Sequence, residues 1–308
     1  MILAPERAKR SSDFESRNAA VVREEFCPFC SGHEAETPPE VFAVRDAGPP
    51  NQPGWRVRIF PNKYPALDPQ GEAPRGGFGF HEVVVDTPDH HRTLATAPIE
   101  QTEIALGAIQ TRMRQLAEDA RVAYISLFKN HGAAAGATRG HSHAQLLALP
   151  VVPPRILQED ERARAHYAAS GRCWFCESVA EAAAAGRLVF ENEQFAVLTP
   201  YAARFPFEVW LLPKRHESRF ELAENRREMA QTFSGTLAVL ERALQNPANN
   251  AVLVTAPLRE ADMPHAHWRL EFLPRLGKVA GFEWGTGCFI NPIRPEDAAG
   301  LLRAAWRA

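Results

Sequence analysis

The sequence contains no apolar run of about 18 residues or more, the length that a membrane-spanning helix requires. Its first residues, M-I-L-A-P-E-R-A-K-R, are charged and have no apolar core, so they do not predict a secretory signal. The 35 Lys and Arg residues do not exceed the 37 Asp and Glu residues, which leaves no basic surplus for nucleic-acid binding. We therefore expect a cytoplasmic protein that binds neither membranes nor nucleic acids. Its 308 residues, 45% hydrophobic, are enough for two globular domains or one duplicated unit.

Cysteine is scarce, yet four of the five cysteines form two C-x-x-C pairs, Cys27/Cys30 and Cys173/Cys176. In a cytoplasmic protein such pairs bind metal more often than they form disulfides. A thioredoxin-like redox motif would place the pair at the start of a helix, whereas we predict that loop follows each pair here. Metal binding is therefore the preferred interpretation. Cys288 stands alone, and we predict that it packs in the core.

Several motifs besides the C-x-x-C pairs occur twice and in the same order, which indicates an internal duplication. The pattern F-x-N-x-x-x-A occurs at 60–66 and at 190–196. Glu-Val at 82–83 and at 208–209 is followed in both copies by a histidine eight residues after the glutamate. H-S-H-A-Q-L-L-A-L-P at 141–150 matches H-A-H-W-R-L-E-F-L-P at 265–274.

The duplicated units share one predicted layout of two strands, a helix and two further strands. Helical spacing of apolar residues covers 99–120 and 225–245, and runs typical of strands cover 82–85, 123–128 and 146–149. We predict an α+β fold of two similar domains, each an antiparallel sheet with a helix packed on it. The catalytic domain would span 1–152 and the second domain 153–308, with 153–171 as a linking helix.

The duplication predicts two metal sites with two thiolates and two imidazoles each, a set that satisfies tetrahedral Zn²⁺. Four protein ligands leave no open position, so both sites would be structural. The first set is Cys27, Cys30, His90 and one histidine of the 141/143 pair; only the repeat register favours His90 over His91. The second set is Cys173, Cys176, His216 and either His265 or His267.

The stretch N-H-G-A-A-A-G-A-T-R-G-H-S-H-A-Q suggests chemistry on an anion. Alternate residues of a strand share a face, so His141, His143 and Gln145 would point the same way. If one histidine binds metal, the other is held as a nucleophile toward phosphorus, and the preceding glycine-rich loop offers N–H groups to phosphate oxygens. Gln145 could donate to a non-bridging oxygen. The second copy lacks this loop and has Arg269 in place of the glutamine, so we expect catalysis in the first copy.

These motifs resemble the galactose-1-phosphate uridylyltransferase family, a duplicated branch of the histidine-triad superfamily, over nearly the whole chain. The resemblance implies that His141 binds metal and that His143 forms a covalent nucleotidyl intermediate, with Gln145 on the phosphate. It implies His90 as a ligand through P-D-H-x-x-T-L, and His267, which precedes a tryptophan, at the second metal. The implied substrate contacts are Arg7 and Arg10 on the hexose phosphate, Asn62 on the nucleoside, Asn130, Gly136 and Thr138 in the phosphate loop, and Glu283 on the sugar.

The sequence departs from the family pattern at three places: H-S-H-A-Q replaces the usual H-P-H-x-Q, Lys63 replaces an aspartate, and Phe282 replaces a tyrosine. The second C-x-x-C, H-S-H-A-Q and the run G-F-E-W-G-T-G-C-F-I-N-P-I-R-P-E-D resemble a plant-type branch that acts as an ADP-glucose phosphorylase. Nucleoside monophosphate would thus pass from a nucleotide sugar to hexose-1-phosphate or to phosphate. The resemblance also implies two zinc ions, with iron as an alternative at the second site, and a homodimer. A dinucleoside polyphosphate phosphorylase and a non-enzymatic zinc-stabilised binding module are the other functions considered.

Overall fold

The computed structural model describes residues 1–5, 26–71, 77–260 and 263–307, which form an α+β fold. The strands within these ranges are β1 (Ile2–Leu3), β2 (Phe42–Arg45), β3 (Trp55–Pro61), β4 (Phe80–Val85), β5 (Tyr124–His131), β6 (His143–Leu149), β7 (Leu188–Glu191), β8 (Phe195–Leu198), β9 (Val209–Pro213), β10 (Asn249–Val254), β11 (Arg269–Pro274) and β12 (Ile290–Asn291). The α-helices are α1 (Ile99–Ala117), α2 (Pro154–Ser170), α3 (Trp174–Glu181), α4 (Arg226–Leu244), α5 (Gly281–Thr286) and α6 (Pro295–Arg307).

Ten strands form one antiparallel sheet in the order β2-β3-β4-β6-β5-β10-β11-β9-β8-β7. Strands of the first copy occupy one half of the sheet and strands of the second copy the other, and β5 joins them by pairing with β10. The predicted antiparallel fold with packed helices is thereby confirmed. The division at 152/153 stays a prediction, since the two copies share a continuous sheet.

Within the described residues, each copy contributes three strands to the ten-stranded sheet before its long helix, α1 or α4, so the predicted layout of two was wrong. The sequence analysis located β4, β5 and β6 and placed no other strand. Among the strands that it did not locate are the sheet edges β2 and β7, which are four residues long each and too short to show an alternating pattern. The long helices match the spacing closely, since α1 and α4 end within three residues of the predicted limits. Helix α2 begins after Pro153 and ends at Gly171, whose φ of +69° is the left-handed conformation that terminates helices.

The two copies also share their main core. Helices α1 and α4 pack against each other and cover one face of the sheet with apolar side chains. Leu146 of β6 is fully buried in this core together with Ala144 and Ala148. Because side chains alternate along a strand, His143 and Gln145 project from the opposite face. No helix in the described ranges is both long and apolar enough to cross a membrane.

Candidate functional site

The two histidines of H-S-H lie where β6 begins, and they point to the same side of the sheet. Phe29, within the first C-x-x-C turn, contacts both rings, with centroid separations of 6.3 Å to His141 and 5.3 Å to His143. Both histidines are buried. The shared face that strand alternation predicts is therefore present, and it faces the turn that carries Cys27 and Cys30.

The first predicted ligand set is assembled in the structure. One ligand atom from each of Cys27, Cys30, His90 and His141 lies within 4.8 Å of the others. The Nδ1 atom of His141 is 3.6 and 3.7 Å from the two sulfurs, and that of His90 is 3.4 Å from Cys30 Sγ. Both cysteines are free thiols rather than a disulfide. His91, the alternative to His90, is exposed.

These separations fit a tetrahedral zinc ion. Bond lengths of about 2.3 Å to sulfur and 2.05 Å to nitrogen place the ligand atoms about 3.6 Å apart at the tetrahedral angle. The orientation of His141 agrees, because its Nε2–H donates to the Thr87 carbonyl at 2.8 Å and leaves the Nδ1 lone pair facing the thiols. Bound zinc would hold this ring in place.

The second set is assembled as well, with Cys173, Cys176, His216 and His267 also within 4.8 Å. His267 Nδ1 is 4.0 and 3.5 Å from the two sulfurs, and its Nε2–H donates to the Pro213 carbonyl at 3.0 Å. His265 is turned away and bonds to an α2 carboxylate instead. His267 is therefore the structural equivalent of His141. The alignment of the two copies by their sequence repeat, which favoured His265, is off by two residues at this point.

The expectation that loop follows both C-x-x-C pairs holds for the first and is wrong for the second. Cys173 directly precedes α3, and Cys176 lies in its first turn. The hydrogen bond between these thiols separates their pKa values, lowering that of Cys173 and raising that of Cys176. Since two imidazoles complete the cluster, its composition is that of a metal site rather than a redox pair.

His143 is oriented as a nitrogen nucleophile. Its Nδ1–H donates to the His141 carbonyl at 2.8 Å, so the lone pair lies on Nε2. Burial is the main factor that lowers the pKa of His143, which favours the neutral imidazole. The group that is proposed to bind metal and the group that is proposed to react are thus connected through one backbone carbonyl.

A lysine that the sequence analysis did not identify lies behind His143. Lys129 Nζ donates to the His143 carbonyl at 3.0 Å, to Ser142 Oγ at 2.7 Å and to Asp86 Oδ2 at 2.6 Å. Asp86 is buried, and its Oδ1 has no hydrogen-bond partner among the residues that the structure describes. The only sequence signal was a charged residue at the end of an apolar strand.

Gln145 forms a hydrogen bond with His81 on the same face of the sheet as His143. Its Oε1 is 2.7 Å from Nε2 of His81, a β4 residue that sequence analysis also missed. Asn62, the expected nucleoside contact, is a neighbour of this pair, with its Nδ2 3.2 Å from the same His81 nitrogen. The structure thus brings Asn62 and Gln145 to one place through His81. The period-two pattern of His81, Val83 and Val85 was the available signal.

The expected phosphate loop begins where β5 ends and is held by a residue of the second copy. Asn250 of β10 donates to Asn130 Oδ1 and to the Ala135 carbonyl, both at 2.8 Å. Because a backbone carbonyl can only accept, the Asn250 atom involved is its NH₂ nitrogen, and the Asn130 atom is an oxygen. Asn130 Nδ2 then lies beside Gly136, whose φ of +87° is the left-handed conformation that glycine favours. Thr138 follows in the exposed part of the loop.

The remaining expected substrate contacts are Glu283, Arg7 and Arg10. Glu283 is on α5, where it accepts a hydrogen bond from the Ala280 N–H at the start of the helix. Arg7 and Arg10 lie outside the residues that the structure describes. The predicted burial of Cys288 was wrong, because its thiol is exposed in the segment that follows α5.

Ion pairs occupy the corresponding place in the second copy. Counting from His267, Arg269 stands where His143 stands and Glu271 where Gln145 stands, so the expected match of Arg269 to Gln145 was wrong. Arg269 lies against the ring of Phe175, at 4.7 Å, as His143 lies against Phe29. Burial opposes the charge on Glu271, but Arg269 and Arg204 outweigh it and hold the pKa of Glu271 at about 2. This copy has no nucleophile at the equivalent position.

The chain is similar to proteins of established activity over nearly its full length. It is 36% identical to the ADP-glucose phosphorylase of Arabidopsis thaliana, over 98% of this chain and 89% of that protein. It is 34% identical to the galactose-1-phosphate uridylyltransferase of Thermotoga maritima, over 90% of this chain and 88% of that protein. A family model described as "Domain of unknown function (DUF4921)" matches residues 92–304.

Solved structures show the same relationship. The crystal structure of the Arabidopsis thaliana ADP-glucose phosphorylase with bound ADP-glucose superposes with a TM-score of 0.87 at 36% identity, covering 98% of this chain and 93% of that one. A uridylyltransferase structure superposes with a TM-score of 0.81 at 29% identity, covering 92% of each chain. The resemblance that the sequence motifs indicated is thereby confirmed.

Proposed function

This chain is a nucleotidyltransferase of the galactose-1-phosphate uridylyltransferase family, and we propose that it transfers nucleoside monophosphate from a nucleotide sugar to a phosphate-bearing acceptor through His143. The observation that carries this proposal is the hydrogen bond from His143 Nδ1–H to the His141 carbonyl, which leaves Nε2 as the reactive atom. The favoured acceptor is a hexose-1-phosphate.

The reaction would proceed in two displacements. His143 Nε2 attacks the α-phosphorus of the nucleotide sugar, a nitrogen–phosphorus bond forms, and the bond to the departing sugar 1-phosphate breaks. A phosphate oxygen of the acceptor then attacks the same phosphorus, and the electron pair of the broken nitrogen–phosphorus bond returns to Nε2. The proton stays on Nδ1 throughout, hydrogen-bonded to the His141 carbonyl, and this carbonyl stabilises the positive charge that the ring acquires.

The negative charge on the oxygens of the transferred phosphoryl group has to be stabilised by hydrogen-bond donors. Gln145 and Asn130 would supply side-chain NH₂ groups, and the loop around Gly136 and Thr138 would supply backbone N–H groups. Asn62 would contact the nucleoside. Neutral donors of this kind can bind the anionic phosphoryl group without protonating the His143 imidazole, which must stay neutral to attack.

The two Cys₂His₂ clusters would bind zinc in a structural role, since four protein ligands leave no position for substrate. Cys27, Cys30, His90 and His141 would hold the first ion, and Cys173, Cys176, His216 and His267 the second, where iron is the alternative. Bound zinc would supply a rigid cross-link between the C-x-x-C turn and the start of β6. It would thereby fix the ring of His141, and with it the carbonyl that accepts from His143.

The sugar end of the substrate is assigned to Arg7, Arg10 and Glu283, as the family resemblance implies. We further propose that the protein is a cytoplasmic homodimer. On α5, Trp284 is 79% exposed and Phe282 43%, and apolar surface of this extent supports a subunit contact near Glu283.

ADP-glucose phosphorolysis is the second candidate, with inorganic phosphate as acceptor. It is favoured by the 36% identity to the plant phosphorylase over 98% of this chain, compared with 34% over 90% for the uridylyltransferase. The covalent intermediate is common to both reactions, so only nucleobase and acceptor distinguish them.

A substrate panel tests the proposal directly. UDP-glucose, UDP-galactose, ADP-glucose and ADP-galactose are incubated with the enzyme without acceptor, and intact-protein mass spectrometry measures bound nucleotide. We expect one nucleotide per chain in the wild type and none in His143→Ala, with release of sugar 1-phosphate. Adding phosphate or galactose-1-phosphate then identifies the acceptor. Equal labelling of His143→Ala would contradict the assignment of the nucleophile.

A further inference from the structure

The structure assigns His81 as a positioning residue that turns the amide of Gln145 so that its NH₂ group, rather than its oxygen, faces the phosphate. This inference rests on the proposed function, because it concerns the donor that Gln145 offers to the transferred group. His81 itself does not need to touch the substrate.

The tautomer of His81 follows from a backbone group. The Ala66 N–H points at His81 Nδ1, at 3.1 Å, and a backbone N–H can only donate. Nδ1 must therefore carry a lone pair, which places the ring proton on Nε2. This argument is independent of how any side-chain amide is oriented.

The orientation of Gln145 follows in turn. His81 Nε2–H lies 2.7 Å from one end of the Gln145 amide, and a donor at this distance requires an oxygen opposite it. Gln145 Oε1 is thus occupied by the protein, and its NH₂ group has no protein partner among the described residues. The amide is left with two N–H donors for a ligand.

Asn62 does not compete for this interaction. Its Oδ1 accepts from the Tyr64 N–H at 2.9 Å, so the end that faces His81 is the NH₂ group. Two donors 3.2 Å apart cannot bond to each other, and only Gln145 presents an acceptor to His81. The two hydrogen bonds therefore run in one direction, from the Ala66 N–H to His81 and from His81 to Gln145. An amide flip at Gln145 would place its NH₂ group against the proton on His81 Nε2.

Two amide substitutions at position 81 separate this role from a structural one. The oxygen of His81→Asn reaches the place of Nδ1 and can accept from Ala66, whereas the amide of His81→Gln reaches the place of Nε2 and can donate to Gln145. We expect His81→Gln to retain the single-turnover rate of nucleotidyl-enzyme formation within about threefold. In His81→Asn and His81→Ala this rate should fall about tenfold. One oriented donor at a developing oxyanion accounts for about 10²–10³ in rate, and a Gln145 amide that is no longer held in one orientation keeps only part of that effect.

A double-mutant cycle supplies the second readout. In the Gln145→Ala background the further loss caused by His81→Ala should shrink to less than about twofold, because the group that His81 positions is gone. ADP-glucose and UDP-glucose are the probes, and His166→Ala, which removes an α2 histidine paired with Glu177 in the second copy, is the matched control.

The outcomes are distinguishable. If the wild type takes up no nucleotide from either probe, the proposed function fails and this inference with it. If the wild type is labelled but His81→Asn keeps the rate while His81→Gln loses it, His81 serves only the segment at Ala66, and the inference alone is overturned. The same conclusion follows if His81→Ala costs equally in both backgrounds.

Discussion

Lys129 and Asp86 form an ion pair of 2.6 Å beneath the backbone of His143, on the helix-covered side of the sheet. The Asp86 side chain is 1% exposed and that of Lys129 12%, so neither charge is well solvated. The same ammonium group donates to the carbonyl of His143. The backbone on which the nucleophile stands is therefore supported from both faces of the sheet, by this pair below and by Phe29 above.

Removing one partner of this pair should be strongly destabilising. Lys129→Met leaves Asp86 charged, buried and unpaired, and we expect a loss of about 3–5 kcal/mol in the free energy of unfolding. The double variant Lys129→Met/Asp86→Leu removes both charges and should recover most of that loss. Urea denaturation of the metal-loaded protein measures both. A loss below about 1 kcal/mol in the single variant would show that the pair is better solvated than the structure indicates.

The two metal clusters should differ in their effect on catalysis. Cys27→Ser and Cys173→Ser each remove one thiolate, and each should lose one of two metal equivalents by elemental analysis and lower the melting temperature. Only Cys27→Ser should also reduce nucleotidyl-enzyme formation, by about 10²-fold or more, because His141 carries the carbonyl that orients His143. Equal rate losses in the two variants would contradict this division of roles.

Asn250 should affect the phosphate loop although it belongs to the second copy. Asn250→Asp keeps the shape of the side chain but replaces its donor by acceptors, which repel Asn130 Oδ1 and the Ala135 carbonyl. We expect Asn130 to turn its NH₂ group away from Gly136 and the single-turnover rate to fall about tenfold. Asn246→Asp, at the nearby His131 contact outside this loop, is the control and should change the rate little.

Acid should weaken the second copy through Glu271. Its pKa is about 2 in the folded protein and near 4.5 in the unfolded chain, so its ion pairs contribute stability above pH 4.5 and lose that contribution as the pH falls toward 2. Glu271→Gln should therefore be less stable than the wild type at neutral pH, by about 3–5 kcal/mol. That difference should shrink steadily below pH 4.5 in guanidinium titrations. A constant difference across this range would exclude the carboxylate charge as its cause.

Much of this site was predictable because its chemistry is local in sequence. A C-x-x-C turn places two sulfurs on one metal wherever the chain folds, and H-x-H at a strand start places two imidazoles on one face. Helical spacing located α1 and α4 for the same reason. These features depend on neighbours within a few residues.

The remaining features depend on contacts between distant segments. His81, Lys129 and Asn250 acquire their roles from strands that meet only in the folded sheet, and Asn250 lies 120 residues from Asn130. The choice of His267 over His265 depends on which of the two side chains faces the cysteines in the folded sheet, which the repeat in the sequence does not record. A shift of two residues keeps every side chain on its face, so alternation of apolar residues cannot reveal it.

The pairing of β5 with β10 has a further consequence. Four residue pairs, from Phe128 with Val252 to His131 with Asn249, join the two copies immediately before the phosphate loop. A hinge between the copies would have to break this ladder, so opening and closing around a nucleotide falls to loops rather than to movement of whole halves. Deleting the second copy would leave β5 of the first copy as an unpaired sheet edge. The phosphate loop would also lose its hydrogen bonds to Asn250. By this reasoning the first copy needs the second both to complete its sheet and to hold its phosphate loop.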